Sequence, residues 1–403
     1  MLNAYKGLPK SIYIFFVVQV INRFGDFVVP FLTLYLTKKL GLSFETAGAI
    51  VMVTSLLSIP GSLLGGKLAD QLGRKKVYIA AQTAAGIFLI PCAILKSPSV
   101  IVLCILAATF FNGAVRPAVN SLIADILPPY QRQLGYSLNY LGINVGVALG
   151  PIVAGFLFNH ALPLLFVGDA ITSFIAVSLV VIHVTEVNPF ALEIAVTKEE
   201  KEESGNLLEV LLRRPMIMLL LLIYSIYCGV YIQHRFSLPI MLDHKFLAQG
   251  PEQFGWLMSV NAFTVILLTM GVTHFTKRFK PLTNMAVAGF LYAIGFGMIG
   301  RINSFFMFII STILWTLGEI LMATNFGVFI ANHSPRNFRA RFSALSNLNK
   351  AAGGAIGTSL MGLYIGSRGI NEVWNLVFWV ACTSAVLMLL LSIYSNRKRL
   401  ADN

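Results

Sequence analysis

The residues able to do chemistry in this chain sit where they are most costly to place. Arg23, Asp26, Arg116, Arg235 and Glu319 all fall inside long apolar runs, with Asp169 and Lys350 as further cases. A charge at a bilayer centre costs roughly 2.5–3.5 kcal/mol on insertion scales, and such residues face a bundle interior or a wet cavity. In NRFGDFVVPFL, Arg23 and Asp26 are three residues apart on one helical face, where they can neutralise each other. Glu319 lies mid-run in TLGEILMATN. A carboxyl group in an apolar cavity can exchange a proton in the working pH range, and its charge attracts a cationic substrate. The alternatives for Glu319 are an interhelical hydrogen bond or neutralisation by Lys350. Arg116 can pair with a nearby acid and so time proton release, or form a static ion pair. The stretch YIQHRFSLPIML adds Tyr231, Gln233, His234 and Arg235; His234 either titrates or packs as a polar residue. Cys92, Cys104, Cys228 and Cys382 lie in apolar runs without metal-ligand spacing and read as small buried hydrophobes. There is no HExxH, nucleophile motif or phosphate loop, so an enzyme is not expected. Nor is a metal or any cofactor beyond a proton gradient.

The elements that position these groups follow from composition. The 403 residues are 57% hydrophobic and only 12% charged, where a soluble chain carries roughly 25% charged residues. At roughly 20 apolar residues per span, this length holds about a dozen membrane helices and little else. The expected fold class is an all-α membrane protein with spans near 11–36, 45–69, 77–95, 98–124, 135–159, 163–185, 215–242, 253–275, 282–300, 304–331, 342–366 and 372–394. The first run is too long for a signal peptide and ends in no small-residue cleavage site. The net charge of +13 does not point to nucleic acid, because the Lys and Arg residues form short clusters between apolar runs. One set of loops and ends holds 19 of them, including Arg74–Lys75–Lys76 and Arg397–Lys398–Arg399, and the other set holds 6. The positive-inside rule then places both termini in the cytoplasm of a multi-pass inner or plasma membrane protein.

One polar stretch, around TKEEKEESGN, divides the chain. It implies a six-helix bundle over 1–186, a cytoplasmic linker over 187–212 and a second bundle over 213–403. The halves echo each other. Ser137 and Ser343 are 206 residues apart, as are Arg74 and Lys280. Duplicated units with an even number of spans are parallel repeats about an axis along the membrane normal, with the substrate site near the midplane. Setting Pro239 against Pro30 matches Phe236 with Phe27 and Arg235 with Asp26. An Asp26–Arg235 bridge closing an outer gate therefore competes with the local Arg23–Asp26 pair.

Residues 66–77, GKLADQLGRKKV, link the second and third runs. Gly66 allows close helix approach and Gly73 a tight turn, with Asp70 and Arg74 bracketing it. The string resembles the signature loop of the major facilitator superfamily, G-x-L-A-D-x-x-G-R-K/R-x-x, and the resemblance extends over the chain. It implies a latch in which loop charges pair with neighbouring helix ends. Asp125, closing the fourth run, is the natural partner of Arg74. The equivalent second-half loop, HFTKRFKPLT, lacks the Asp. Further stretches resemble the drug–proton antiporters of that superfamily: Arg116 in NGAVRPAVNSLIAD, Gly146, Gly150 and Pro151 in GVALGPIVAGFL, and the Y-x-Q-x-x-x-x-L-P pattern at Tyr231. Small residues at this spacing also pack helices closely whatever the function.

The resemblance implies a proton-coupled exporter of small amphipathic or cationic compounds. It would work by alternating access as a monomer, with protons, substrate and the bilayer as its partners. The alternative is a proton-coupled importer of a polar or zwitterionic metabolite such as a peptide. INRFGDFVVPFLTLYLT is similar to the first helix of peptide symporters but lacks their preceding Glu-x-x-Glu.

Overall fold

The computed structural model describes residues 7–184, 207–333 and 339–401, and every regular element in them is helical. The first sequence half holds α1 (Lys10–Phe24), α2 (Val28–Leu34), α3 (Phe44–Leu72), α4 (Arg74–Leu89), α5 (Pro98–Ile126), α6 (Pro129–His160) and α7 (Leu162–His183). The second holds α8 (Leu207–Leu212), α9 (Pro215–Tyr231), α10 (Ser237–Phe246), α11 (Gly250–Thr276), α12 (Pro281–Gly297), α13 (Phe305–His333), α14 (Arg339–Arg368) and α15 (Ile370–Ala401). Proline opens α5, α6, α9 and α12, where its missing N–H costs nothing. The apolar runs fall largely on helix. Among the described residues nine stretches are long and apolar enough to cross a membrane, one of them the 62-residue Pro215–Thr276. Pro281–Gly297 is apolar but shorter, and α14 is not among the nine. Most of the linker expected over 187–212 lies outside the described residues; its end forms α8.

Two helices are interrupted, for one reason. Pro30 has no N–H to give the carbonyl of Asp26, four residues earlier, and Pro239 has none for that of Arg235. The first run accordingly splits into α1 and α2 around Gly25, Asp26 and Phe27, with the Phe27 N–H turning back to the Gly25 carbonyl at 2.7 Å. The seventh splits into α9 and α10 through a 3-10 turn at Ile232–His234. In membrane proteins, such breaks survive only where the freed backbone is buried in protein or lines a cavity. A π-helical turn, Tyr35–Lys39, follows α2.

The chain forms two compact units. The first comprises Met1–Leu42, Val53–Ile194 and Leu242–Phe263; the second comprises Ser43–Met52, Ala195–Met241 and Thr264–Asn403. Membership differs from a cut at the linker in two short segments, the start of α3 and the stretch from α10 into α11. In the first unit Phe15, Tyr78, Val119, Leu122, Leu138 and Val180 form a hydrophobic core between α1, α4, α5, α6 and α7. In the second, Phe296 stacks on Trp315 at 5.4 Å and on Trp374 at 6.4 Å, and all three are buried.

Candidate functional site

In the first unit the site is built around the α1–α2 break. Arg23 Nη1 lies 3.2 Å from Asp26 Oδ2, both side chains about a third exposed or less. The local pair is therefore formed. Two helices, α7 and α6, press on the break and the end of α1 because small residues let them in. A Cβ on Gly25 would overlap the Thr172 side chain of α7. On Gly146 it would lie 2.6 Å from the Val20 carbonyl oxygen, and on Gly150 it would meet the carbonyls of Arg23 and Phe24. The glycines that carry the antiporter resemblance thus seat α6 on the end of α1. Asp169, on α7 and buried, accepts the Val28 N–H at 3.4 Å and so caps the first turn of α2. It also bonds the Phe27 N–H and lies within electrostatic reach of Asp26 and Arg23. One turn along α7 from Asp169, Ser173 Oγ accepts from Gln82 Nε2 of α4 at 2.8 Å, both side chains buried.

Arg116 is exposed on α5 beside Asn112 and Asn120, one helical turn to either side and exposed too. It makes no hydrogen bond or ion pair among the described residues. The three polar side chains form a stripe along one face of α5.

The loop between α3 and α4 turns at Gly73, whose φ of 99° and ψ of 139° suit glycine. Arg74 then opens α4 with Nη1 2.6 Å from Asp125 Oδ2, each side chain 18% exposed. The side chain of Asp70 lies outside the described residues. Gly66 does not provide the close helix approach expected of it, because a Cβ there would meet nothing within 4 Å. That approach falls one residue earlier: a Cβ on Gly65 would strike Ala114 of α5. The helical period puts Gly65, not Gly66, on the packed face.

At the far end of α2, Lys38 forms a salt bridge with Asp243 of α10. Close by, Asn159 Nδ2 donates to the Ala248 carbonyl at 2.7 Å and to Glu252 Oε1 at 3.1 Å. A Cβ on Gly155 would lie 2.7 Å from the Pro251 carbonyl oxygen. Neither Lys38 nor Asp243 carries a site signal in the sequence. They stand 205 positions apart, so no local spacing could have joined them.

In the second unit Glu319 of α13 shares a hydrogen bond with the Tyr231 hydroxyl and lies within electrostatic reach of Tyr292. The Tyr231 ring packs 4.3 Å from His234, 5.9 Å from Tyr292 and 6.2 Å from Trp315. His234 is buried, with Nδ1 2.5 Å from the Tyr231 carbonyl oxygen, and its Nε2 accepts from Arg235 Nε at 3.2 Å. Donating at one nitrogen and accepting at the other defines a neutral ring. Lys350 of α14 lies within electrostatic reach of His234 and Cys228. Gln233 is fully buried: its amide donates to the Gly229 and Gly357 carbonyls at 2.8 and 3.3 Å, and its Oε1 accepts from Ser237 at 2.6 Å. It holds α9, α10 and α14 together.

Apolar helices in two repeated units, two of them proline-interrupted at charged residues, are the construction of a secondary transporter. The chain matches the Major Facilitator Superfamily over residues 15–358 and 236–402, and it belongs to that family. It is an integral, multi-pass membrane protein that moves small molecules and is not an enzyme. It is similar to a Na(+), Li(+), K(+)/H(+) antiporter of Planococcus maritimus, 23% identical over 81% of this chain and 82% of that protein. It is also similar to the quinolone resistance protein NorA of Staphylococcus aureus, 35% identical over 39% of this chain and 40% of that one. Among solved structures, a peptide transporter POT in complex with sulfate superimposes with a TM-score of 0.79 at 18% identity, covering 97% of this chain and 95% of that one. The nucleoside transporter NupG does so with a TM-score of 0.74 at 16% identity, covering 96% and 99%. At these identities the two structures establish a shared fold.

Proposed function

We propose that this protein is a proton-coupled exporter of small amphipathic or cationic compounds, working by alternating access with both termini in the cytoplasm. The observation that carries the reading is the Glu319–Tyr231 hydrogen bond at an interrupted helix. It gives the second unit a carboxyl group, inside an aromatic cluster, that can hold either a proton or a cation's charge. The likeness to NorA and to a cation–proton antiporter supports the direction. Asp26, Arg23 and Arg116 in the first unit and Arg235, Tyr231 and His234 in the second are the polar groups this reading calls on. Proton binding at Glu319 or Asp26 releases the substrate and resets the bundles. The Gly73 turn and the Arg74–Asp125 pair form a latch that breaks and reforms with each cycle.

The importer reading rests on one feature, the Arg23–Asp26 pair in the first helix, which suits a zwitterion better than a lipophilic cation. Proteoliposomes separate the two. With purified protein and an imposed pH gradient, the exporter reading expects ethidium movement against proton flow, abolished by dissipating the gradient. Saturable uptake of a dipeptide running with the protons, and no ethidium movement, would overturn it.

A further inference from the structure

We propose that Asp169 is a second proton-binding site of this transporter, and that its charge state is carried along α2 to the Lys38–Asp243 salt bridge. The proposal rests on the proton-coupled reading but adds a residue and a route that reading does not contain.

The first observation is a charge count. Asp26 and Asp169 bring two carboxylates to the α1–α2 break, and Arg23 brings one guanidinium. Fully ionised, the group carries one uncompensated negative charge, with Asp169 only 8% exposed. A net charge in such surroundings is expensive unless a further positive partner arrives. Within electrostatic reach of Asp169 are Arg23 from α1 and Asp26 from the break, while Tyr78 of α4 lies within reach of Arg23 and Tyr35 stands beyond α2. Tyr35 packs its ring 5.0 Å from Phe166, one turn before Asp169. Cys92, after α4, is turned toward the Phe88 and Ile101 carbonyls. α2 contains no ionisable side chain, and His160 at the end of α6 is turned to the Phe156 carbonyl and Glu252. No second cation completes the group among the described residues, so one proton does.

The second observation is independent of the carboxylates. Beside this group lie buried polar atoms without a hydrogen-bond partner among the described residues: Gln82 Oε1, the Tyr78 hydroxyl and Arg23 Nε. Gln82 is 2% exposed and Tyr78 1%. Gln82 is anchored to Ser173, one turn along α7 from Asp169, and Tyr78 lies one turn along α4 from Gln82 and within electrostatic reach of Arg23. Buried donors and acceptors left over in one place are what ordered water satisfies. Asp169, Ser173, Gln82 and Tyr78 thus mark a polar file through the interior of the first unit, along which a proton can travel.

The consequence follows from where Asp169 points. As a carboxylate it accepts the Val28 and Phe27 N–H groups and pins the start of α2. Binding a proton removes the charge that holds those donors. α2 is only seven residues long, and the π-turn at its other end carries Lys38 to Asp243. Releasing one end of so short a rod loosens the other.

The test needs neither substrate nor transport, so it stands even if the exporter reading fails. Infrared difference spectra of the purified protein, acidic minus alkaline, should contain a protonated-carboxyl C=O band. The band should vanish in Asp169→Asn, shift in Asp169→Glu and persist in Glu319→Gln. In parallel, Leu40→Cys in a background without the four native cysteines reports the Lys38 end. Maleimide labelling there should accelerate on acidification, and that acceleration should be absent with Asp169→Asn. If Asp169→Asn fails to fold, Asp169→Glu answers alone, because an unshifted band overturns the site. A band retained in folded Asp169→Asn would do the same. Labelling whose pH dependence survives Asp169→Asn would overturn the route through α2.

Discussion

Arg74 Nη1 and Asp125 Oδ2 are 2.6 Å apart, joining the first residue of α4 to the end of α5. Each side chain is 18% exposed, so the pair is neither a solvated surface contact nor a sealed one. Truncating one partner leaves the other charge partly desolvated, which costs about 1–3 kcal/mol. Asp125→Ala is therefore expected to lower the thermal unfolding midpoint by several degrees and to slow transport. Exchanging the two, Arg74→Asp with Asp125→Arg, should recover part of both. Calorimetry and proteoliposome flux on the same preparations check this; full activity in Asp125→Ala would remove the pair from the transport cycle.

Glycine positions give a paired prediction. A side chain at Gly150 would run into the α1 backbone at Arg23 and Phe24, whereas one at Gly66 would enter open space. Overpacking of this kind costs about 1–3 kcal/mol, while alanine in place of glycine inside a helix gains up to about 1 kcal/mol. Gly150→Val should therefore destabilise the protein and Gly66→Ala should leave it as stable or more so. Thermal melts of the two variants decide, and a reversed order would mean α6 does not seat on α1 as described.

Glu319 and Tyr231 separate proton coupling from simple packing. Glu319→Gln keeps the shape and a hydrogen-bonding group but cannot release a proton. Coupled ethidium movement should fall to the level of protein-free vesicles, with binding of the dye weakened but measurable. Tyr231→Phe removes only the hydroxyl bonded to the carboxylate and should shift the pH dependence of transport without abolishing it. Flux against pH in the three proteins is the measurement; wild-type coupling in Glu319→Gln would place the coupling proton elsewhere.

Much of this was legible in the residue order, and the remainder was not for physical reasons. Apolar runs located the helices because backbone groups in lipid have no other solution. Arg74–Asp125 was legible through the loop pattern, and Arg23–Asp26 through its three-residue spacing. The helix breaks were half legible. Pro30 and Pro239 stand in the sequence, but a proline alone kinks or interrupts a helix, and only the packing of Thr172 against Gly25 shows where the chain unwinds. The cap on α2 was hidden: 141 residues separate Asp169 from Val28, and a lone acid near the end of an apolar run carries no signal of its partner. Gln233 misled in the opposite way. Its place in an antiporter-like pattern suggested a cavity, whereas its amide is spent on three bonds inside its own unit.

The Lys38–Asp243 bridge yields the last prediction. The side chains are 33% and 26% exposed, and a pair this open contributes no more than about 1 kcal/mol. Its loss should barely move the unfolding midpoint. The same energy acts differently on two conformations of similar stability, where about 1 kcal/mol changes their ratio roughly fivefold. Asp243→Asn should therefore raise the maleimide labelling rate of Leu40→Cys by up to about fivefold. Moderate salt should mimic part of the effect in the wild-type bridge and none of it in the variant, because screening acts only on the charged pair. Reversing the pair, Lys38→Asp with Asp243→Lys, should bring the rate back toward its starting value. A rate unchanged by Asp243→Asn would mean the bridge is a bystander, and that the packing around it rests on the Asn159–Glu252 bond and the contact of Gly155 with Pro251.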